Sequence, residues 1–144
     1  TGDALVGEAK TSLMGGVVSS DTNLDEFHRC KISKKEDIRE LFVEPFYFGC
    51  EADDAMNAIA FNTKINHFGA KLKAFFGSDI GHWDVEDIRH CVPDAYKNVE
   101  KELFTDQDFE DFMYTNPVTL YTRQNPDFFK GTIVEDQVDQ LIAG

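Results

Sequence analysis

Cysteine, proline, tryptophan and basic residues are all scarce in this chain, and most of these shortages remove a class of function. The three cysteines, Cys30, Cys50 and Cys91, are odd in number and show no CxxC spacing. Neither a disulfide framework nor a structural zinc site is therefore expected, and the thiols read as reduced ones in a cytoplasmic protein. Lys and Arg number 14 against 27 Asp and Glu, leaving a formal charge of −13. Phosphate binding needs a surplus of cations on one face, so nucleic acid is not expected as a partner, and an anionic membrane surface is disfavoured for the same reason. No apolar run approaches the roughly 20 residues that cross a bilayer, and no basic stretch leads into an apolar one near the start. Thr1 stands where a Met would begin a natural chain, so it need not be the natural start.

What is present suits a globular core. The 144 residues, 42% of them hydrophobic, are enough for one ordinary domain. The 13 phenylalanines gather in short groups, such as Phe46 with Phe48, Phe75 with Phe76, and Phe109 with Phe112, which implies bulky packing surfaces. Residues 1–23 read as a loop-rich lead-in around Gly15, Gly16, Ser19, Ser20 and Asp21, with at most a short helix over 4–14. Residues 24–104 read as alternating strands and helices. Helices are expected over Leu24–Cys30 and over Ser33–Leu41, the second opened by a Ser33/Glu36 capping box. The apolar run Phe46–Cys50 predicts a strand buried on both faces, and Asp53 or Asp54 can cap a following helix that reaches about Thr63. A helical stretch or turn over Phe68–Lys73 leads to a second buried strand, Ala74–Asp79.

Asp84 with Asp87 is placed to open the next helix, which should stop at Pro93, and Pro93 fits the first turn of a further helix, Asp94–Leu103. In the closing segment, 105–144, Thr105 with Asp108 starts a helix to Tyr114, and the remainder should hold one short helix and an extended tail. The order of strand, helix, strand, helix predicts an α/β fold with a parallel sheet. Two parallel strands leave open backbone donors and acceptors along their edges, so further strands, on this protein or another polypeptide, are expected to complete the sheet. The alternative is a small α-rich domain carrying a two-stranded ribbon.

The segment Ala74–Val85 carries the most chemical information. An apolar strand stops at Gly77 and Ser78 and presents Asp79, where the C-terminal ends of strands in α/β barrels point into the active site. Asp79 could instead cap the following helix, but Asp84 is placed for that five residues later. His82 could hydrogen-bond Asp79, touch substrate, or be an ordinary loop histidine. Trp83, the only tryptophan, fits the rim of a pocket or a core anchor. Glu51 ends the other strand and is a candidate for substrate contact, whereas Asp53 suits a helix cap. His28 and His90 on helices and His67 in a loop suit structural roles. Arg123 could grip a carboxylate substrate through its bidentate fork or pair with a nearby acid.

Gly77, Ser78 and Asp79 followed by His82 resemble the end of the eighth barrel strand in the amidohydrolase superfamily, in the branch of aminocarboxymuconate semialdehyde decarboxylase and its relatives. Phe46 to Asp54 looks like the seventh strand and its loop, and Phe112 to Tyr121, with Asn116, Pro117 and Leu120, is similar to the closing helix. The resemblance covers roughly residues 35–131. It implies that the chain is the C-terminal part of a (β/α)₈ TIM barrel, incomplete by itself, with its last two strands and C-terminal helices. It also implies a divalent metal, commonly zinc, held mostly by histidines of earlier strands, with Asp79 at the metal and its water as acid and base. The histidine pair of the first strand and the histidines of the fifth and sixth have no counterpart here, so most ligands would lie outside this chain. The implied activity is a metal-dependent hydrolase of a small carboxylate or amide; the alternatives are a non-oxidative decarboxylase and a scaffold that keeps the barrel shell without catalysis. A small-molecule substrate and the remaining barrel segment are the expected partners, and homo-oligomerisation is left open.

Overall fold

The computed structural model describes residues 29–144. The chain divides between Lys34 and Lys35, and the account below is of Lys35–Gly144. The expected helix over 4–14 and residues 24–28 of the next lie outside the described residues, while residues 29–31 form a turn with Lys31 at φ 60°.

Two strands pair in parallel, β1 (Tyr47–Glu51) and β2 (Lys73–Gly77), in step from Tyr47 opposite Lys73 to Glu51 opposite Gly77. This is the predicted mixed helix-and-strand architecture with a parallel pair. Among the described residues the sheet has these two strands. Each strand begins or ends one or two residues from its expected limit, for local reasons. Phe46 is half exposed and lies against the Phe42 ring at 5.5 Å instead of joining the ladder. Asp79 takes φ 51°, a left-handed conformation that no strand can continue.

Helix formation is shorter than expected before β1: in place of a helix over Ser33–Leu41, Asp37 and Ile38 are helical and pass into a wide π-helical turn, Arg39–Val43. The crossover between the strands opens at Asp54, whose Oδ1 accepts from the Met56 N–H at 2.8 Å. A 3₁₀ turn (Ala55–Asn57) feeds α1 (Ala58–Phe61). Asn62 then ends the helix early by accepting from the Lys64 N–H at 3.0 Å, and a 3₁₀ turn, His67–Gly69, leads into β2.

Helix α2 (Ile88–Glu100) corrects two expectations. Its cap is Asp87, which accepts from the Arg89 N–H at 2.9 Å, and Asp84 takes no part in it. Pro93 does not divide it. Proline forfeits one backbone bond, but Cys91, Ala95 and Asn98, buried at helical spacing, form a stripe that runs straight past it. Packing of that stripe outweighs the single lost bond.

The Thr105/Asp108 capping box forms as predicted, with the Asp108 N–H donating to Thr105 Oγ1 and the Thr105 N–H to Asp108 Oδ2, both at 3.1 Å. It starts α3 (Asp106–Glu110), which widens into a π-helical turn, Asp111–Thr115, and continues as α4 (Asn116–Gln124). The widening has a cause: the Pro117 ring would strike the carbonyl four residues back in a regular helix, and the extra residue in the turn relieves it. In place of an extended tail the chain ends in α5 (Glu135–Ala143), which buries Val138.

The core lies between the sheet and these helices. Phe61, Ala74, Ala95, Phe104 and Phe112 form its buried centre, and Phe76 and Cys50 pack on it from the strands. Asn116 Nδ2 donates to the Ala74 carbonyl at 2.8 Å and fixes α4 to β2. Lys71 ties the approach to β2 to the helix start through Asp108 and Asp111, each at 2.8 Å. The three cysteines are free, and among the described residues no helix is long and apolar enough to cross a membrane.

Candidate functional site

At the C-terminal ends of β1 and β2 the backbones come close together. A Cβ built on Gly77 would lie 3.2 Å from the Cys50 carbonyl oxygen, so glycine lets the strands converge before the chain turns away. Asp79 then enters the left-handed region, which aspartate tolerates better than most residues. From Asp79 the chain folds back in a turn closed by the His82 N–H donating to the Asp79 carbonyl at 3.1 Å, with Gly81 supplying φ 96° at its third position.

That turn returns His82 to the aspartate. His82 Nδ1 lies 3.5 Å from Asp79 Oδ2 and 2.8 Å from Asp84 Oδ1. One donor atom from each of the three residues falls within 4.8 Å of the other two. Asp79 is 46% exposed, so the cluster sits on the rim of an open cleft and not at the bottom of a pocket. The cleft, about 500 Å³, runs from the strand ends to the first half of α2 and is walled by Glu51, Asp53, Asp79, Asp84, Asp87 and Asp94 together with His90 and Cys91.

Charge at the rim follows from this geometry. The hydrogen bond to Asp84, then the charge of Asp79, raise the His82 pKa above the ordinary 6.5, and the same bond lowers that of Asp84. Because the folded-state value of His82 is raised, the pair contributes fully below pH 6.5 and fades as pH rises through the raised value. In the metal-free protein, Asp84→Asn is expected to shift the His82 midpoint back toward that of a free imidazole, read from its ring-proton shifts in an NMR pH titration. An unchanged midpoint would dismiss the pairing as its cause. The nearby Cys50 thiol is unsuited to nucleophilic work, since burial and then the charge of Asp54 push its pKa up.

The structure therefore gathers Asp79, His82 and Glu51 at one cleft or its rim. Trp83 is 81% exposed, with its ring 6.3 Å from that of His82, so it stands over the rim and anchors no core. Arg123 is placed elsewhere. It lies at the opposite end of the sheet, beside Tyr47 and Lys73, the first residues of the two strands. Two residues given only structural or ordinary roles from sequence lie beside the site. Cys91 Sγ approaches the Ser78 carbonyl at 3.7 Å, just before Asp79, and His90 joins the cleft wall. Their spacing from Asp87, the true cap of α2, was the available signal. His67 sits in an exposed turn away from the cleft.

No family model, no curated protein and no solved structure matches the chain.

Proposed function

We propose that this chain supplies the strand-end wall of a metal-dependent hydrolase, similar to the amidohydrolases, acting on a small carboxylate or amide. The observation that carries the reading is the convergence of Asp79, His82 and Asp84 donor atoms within 4.8 Å just beyond the C-terminal end of a parallel strand pair. Two carboxylates and an imidazole are a donor set that divalent zinc accepts. Asp79 and His82 would hold the ion together with ligands from polypeptide outside these residues. Such an ion polarises a carbonyl and makes water a stronger acid.

The chain's own groups then handle the proton. Asp79 accepts a proton from the water as its oxygen bonds to the substrate carbonyl carbon. It returns that proton to the departing nitrogen when the carbon–nitrogen bond breaks. His82 is held in place by Asp84 and faces Asp79 at 3.5 Å. Glu51, on the neighbouring strand end, is within the same cleft to meet a substrate donor.

Calorimetric titration with zinc of the metal-free intact protein, including the polypeptide that supplies the other ligands, tests the site. One ion per chain is expected to bind, and Asp79→Asn should weaken it by about 10- to 100-fold, the usual range for loss of a ligand or its support. Absence of saturable binding, or equal affinity in the variant, would remove the metal from this cluster.

A further inference from the structure

The end of the sheet away from Asp79 carries a second cavity of a different character. Tyr47 and Lys73, the first residues of β1 and β2, face α4 and α5 across a space of about 730 Å³. Its lining holds two cations, Lys73 and Arg123, and no carboxylate, in a chain of charge −13. Lys73 is held in place: its Nζ donates to the Glu44 carbonyl and lies 5.0 Å from the centre of the Tyr47 ring. The Arg123 guanidinium is uncommitted, for among the described residues it takes part in no hydrogen bond or ion pair, although acids outnumber bases almost two to one.

The rest of the lining decides what the anion is. Tyr47 donates its hydroxyl proton to Thr119 Oγ1 at 3.2 Å, Thr119 donates to the Thr115 carbonyl at 2.8 Å, and Thr122 to the Val118 carbonyl at 2.8 Å. With the hydroxyls of Tyr47, Thr119 and Thr122 spent inside the fold, the charged donors open to a ligand are those of Arg123 and Lys73. A guanidinium fork matches the paired oxygens of a carboxylate or a phosphate, so the apolar part of the lining separates the two. Leu141 and Ile142 of α5 provide an apolar wall on which a hydrocarbon body can be buried.

We propose that this cavity binds a small organic carboxylate, its charged end on Arg123 with Lys73 alongside and its apolar body against Leu141 and Ile142. Its strand end, Lys73, lies about 13 Å from Gly77 at the other end of β2, at roughly 3.3 Å per residue, and Asp79 is beyond that. The ligand is therefore separate from the substrate of the strand-end cleft, and the inference does not depend on what that cleft does.

Calorimetric titration of the protein with benzoate and, separately, with inorganic phosphate tests it, with Arg123→Gln and Ile142→Glu as variants. Both side chains are exposed, so both variants should keep the wild-type circular dichroism spectrum. Benzoate is expected to saturate at one per chain, to weaken at least about tenfold in each variant as one ionic or apolar anchor is lost, and to shift the amide resonances of Leu141 and Ile142. Phosphate should not saturate. Failure of benzoate to saturate, an unchanged affinity in Arg123→Gln, phosphate binding as tight as benzoate, or resonance shifts confined to the Asp79 turn would each overturn the proposal.

Discussion

Asp79→Asn is expected to lower hydrolytic turnover in the intact protein by about two to four orders of magnitude, the usual worth of a positioned acid–base group, without disturbing the fold. The substitution keeps the side chain's shape, removes its ability to take up and return a proton and loosens its hold on the ion, so turnover is compared at saturating zinc. It also respects the backbone. Asp79 sits at φ 51°, where asparagine is as tolerant as aspartate and alanine is not, so Asp79→Ala would mix strain into the result. Loss of turnover at saturating zinc with an unchanged circular dichroism spectrum would place the defect in the chemistry. Wild-type turnover in Asp79→Asn would take this residue out of the mechanism.

Much of this arrangement was legible because local rules and tertiary packing agreed. The apolar runs at Phe46–Cys50 and Ala74–Phe76 were legible as strands and they pair in parallel, but among the described residues they are not buried on both faces: no residue of β1 is buried and only Ala74 of β2 is. Thr105 with Asp108, and Asp54 before Met56, satisfy backbone donors within three residues, which sequence spacing reports directly. The proximity of His82 to Asp79 needed one further step, the turn that Gly81 permits.

The misreadings came where distant packing overruled a local signal. Pro93 marks a helix start by its neighbours alone, yet the buried stripe of Cys91, Ala95 and Asn98 spans it. Asp84 looked like a cap because Asp87 stands three residues on, but its carboxylate is committed to His82, and Asp87 does the capping. The helix Glu135–Ala143 had its signal in the four-, three- and one-residue steps of Val134, Val138, Leu141 and Ile142, which the loop-like composition around Gly131 obscured. Arg123 could not be assigned to an end of the sheet from sequence, since that depends on how far the helix carrying it runs past Pro117. Two parallel strands with a helical crossover are likewise common to every parallel α/β architecture, so the pair cannot specify a barrel.

Phe112→Ala is expected to be the most destabilising single change in the core, at about 3–5 kcal/mol. Phe112 is completely buried, and its ring stands edge-on to Phe104 at 5.5 Å and to Phe61 and Phe76 at 6.3 Å each. It therefore joins β2, α1, the segment before α3 and the π-helical turn at one point. With Pro117 already widening that turn, the helix has little regular backbone bonding nearby to close over a cavity. Against a typical domain stability of about 5–15 kcal/mol, such a loss removes a large share. Phe112→Leu, which preserves most of the volume, should cost only about 1–1.5 kcal/mol, and urea unfolding followed by circular dichroism measures both. The effect should also reach the cleft, because Phe76 leans on Phe112 and immediately precedes Gly77, where β2 ends. Zinc affinity at Asp79 should fall in Phe112→Ala while the protein is still folded. A loss of stability below about 1 kcal/mol would show that the helices hold the sheet without this ring, and would free the geometry of the strand end from the core beneath it.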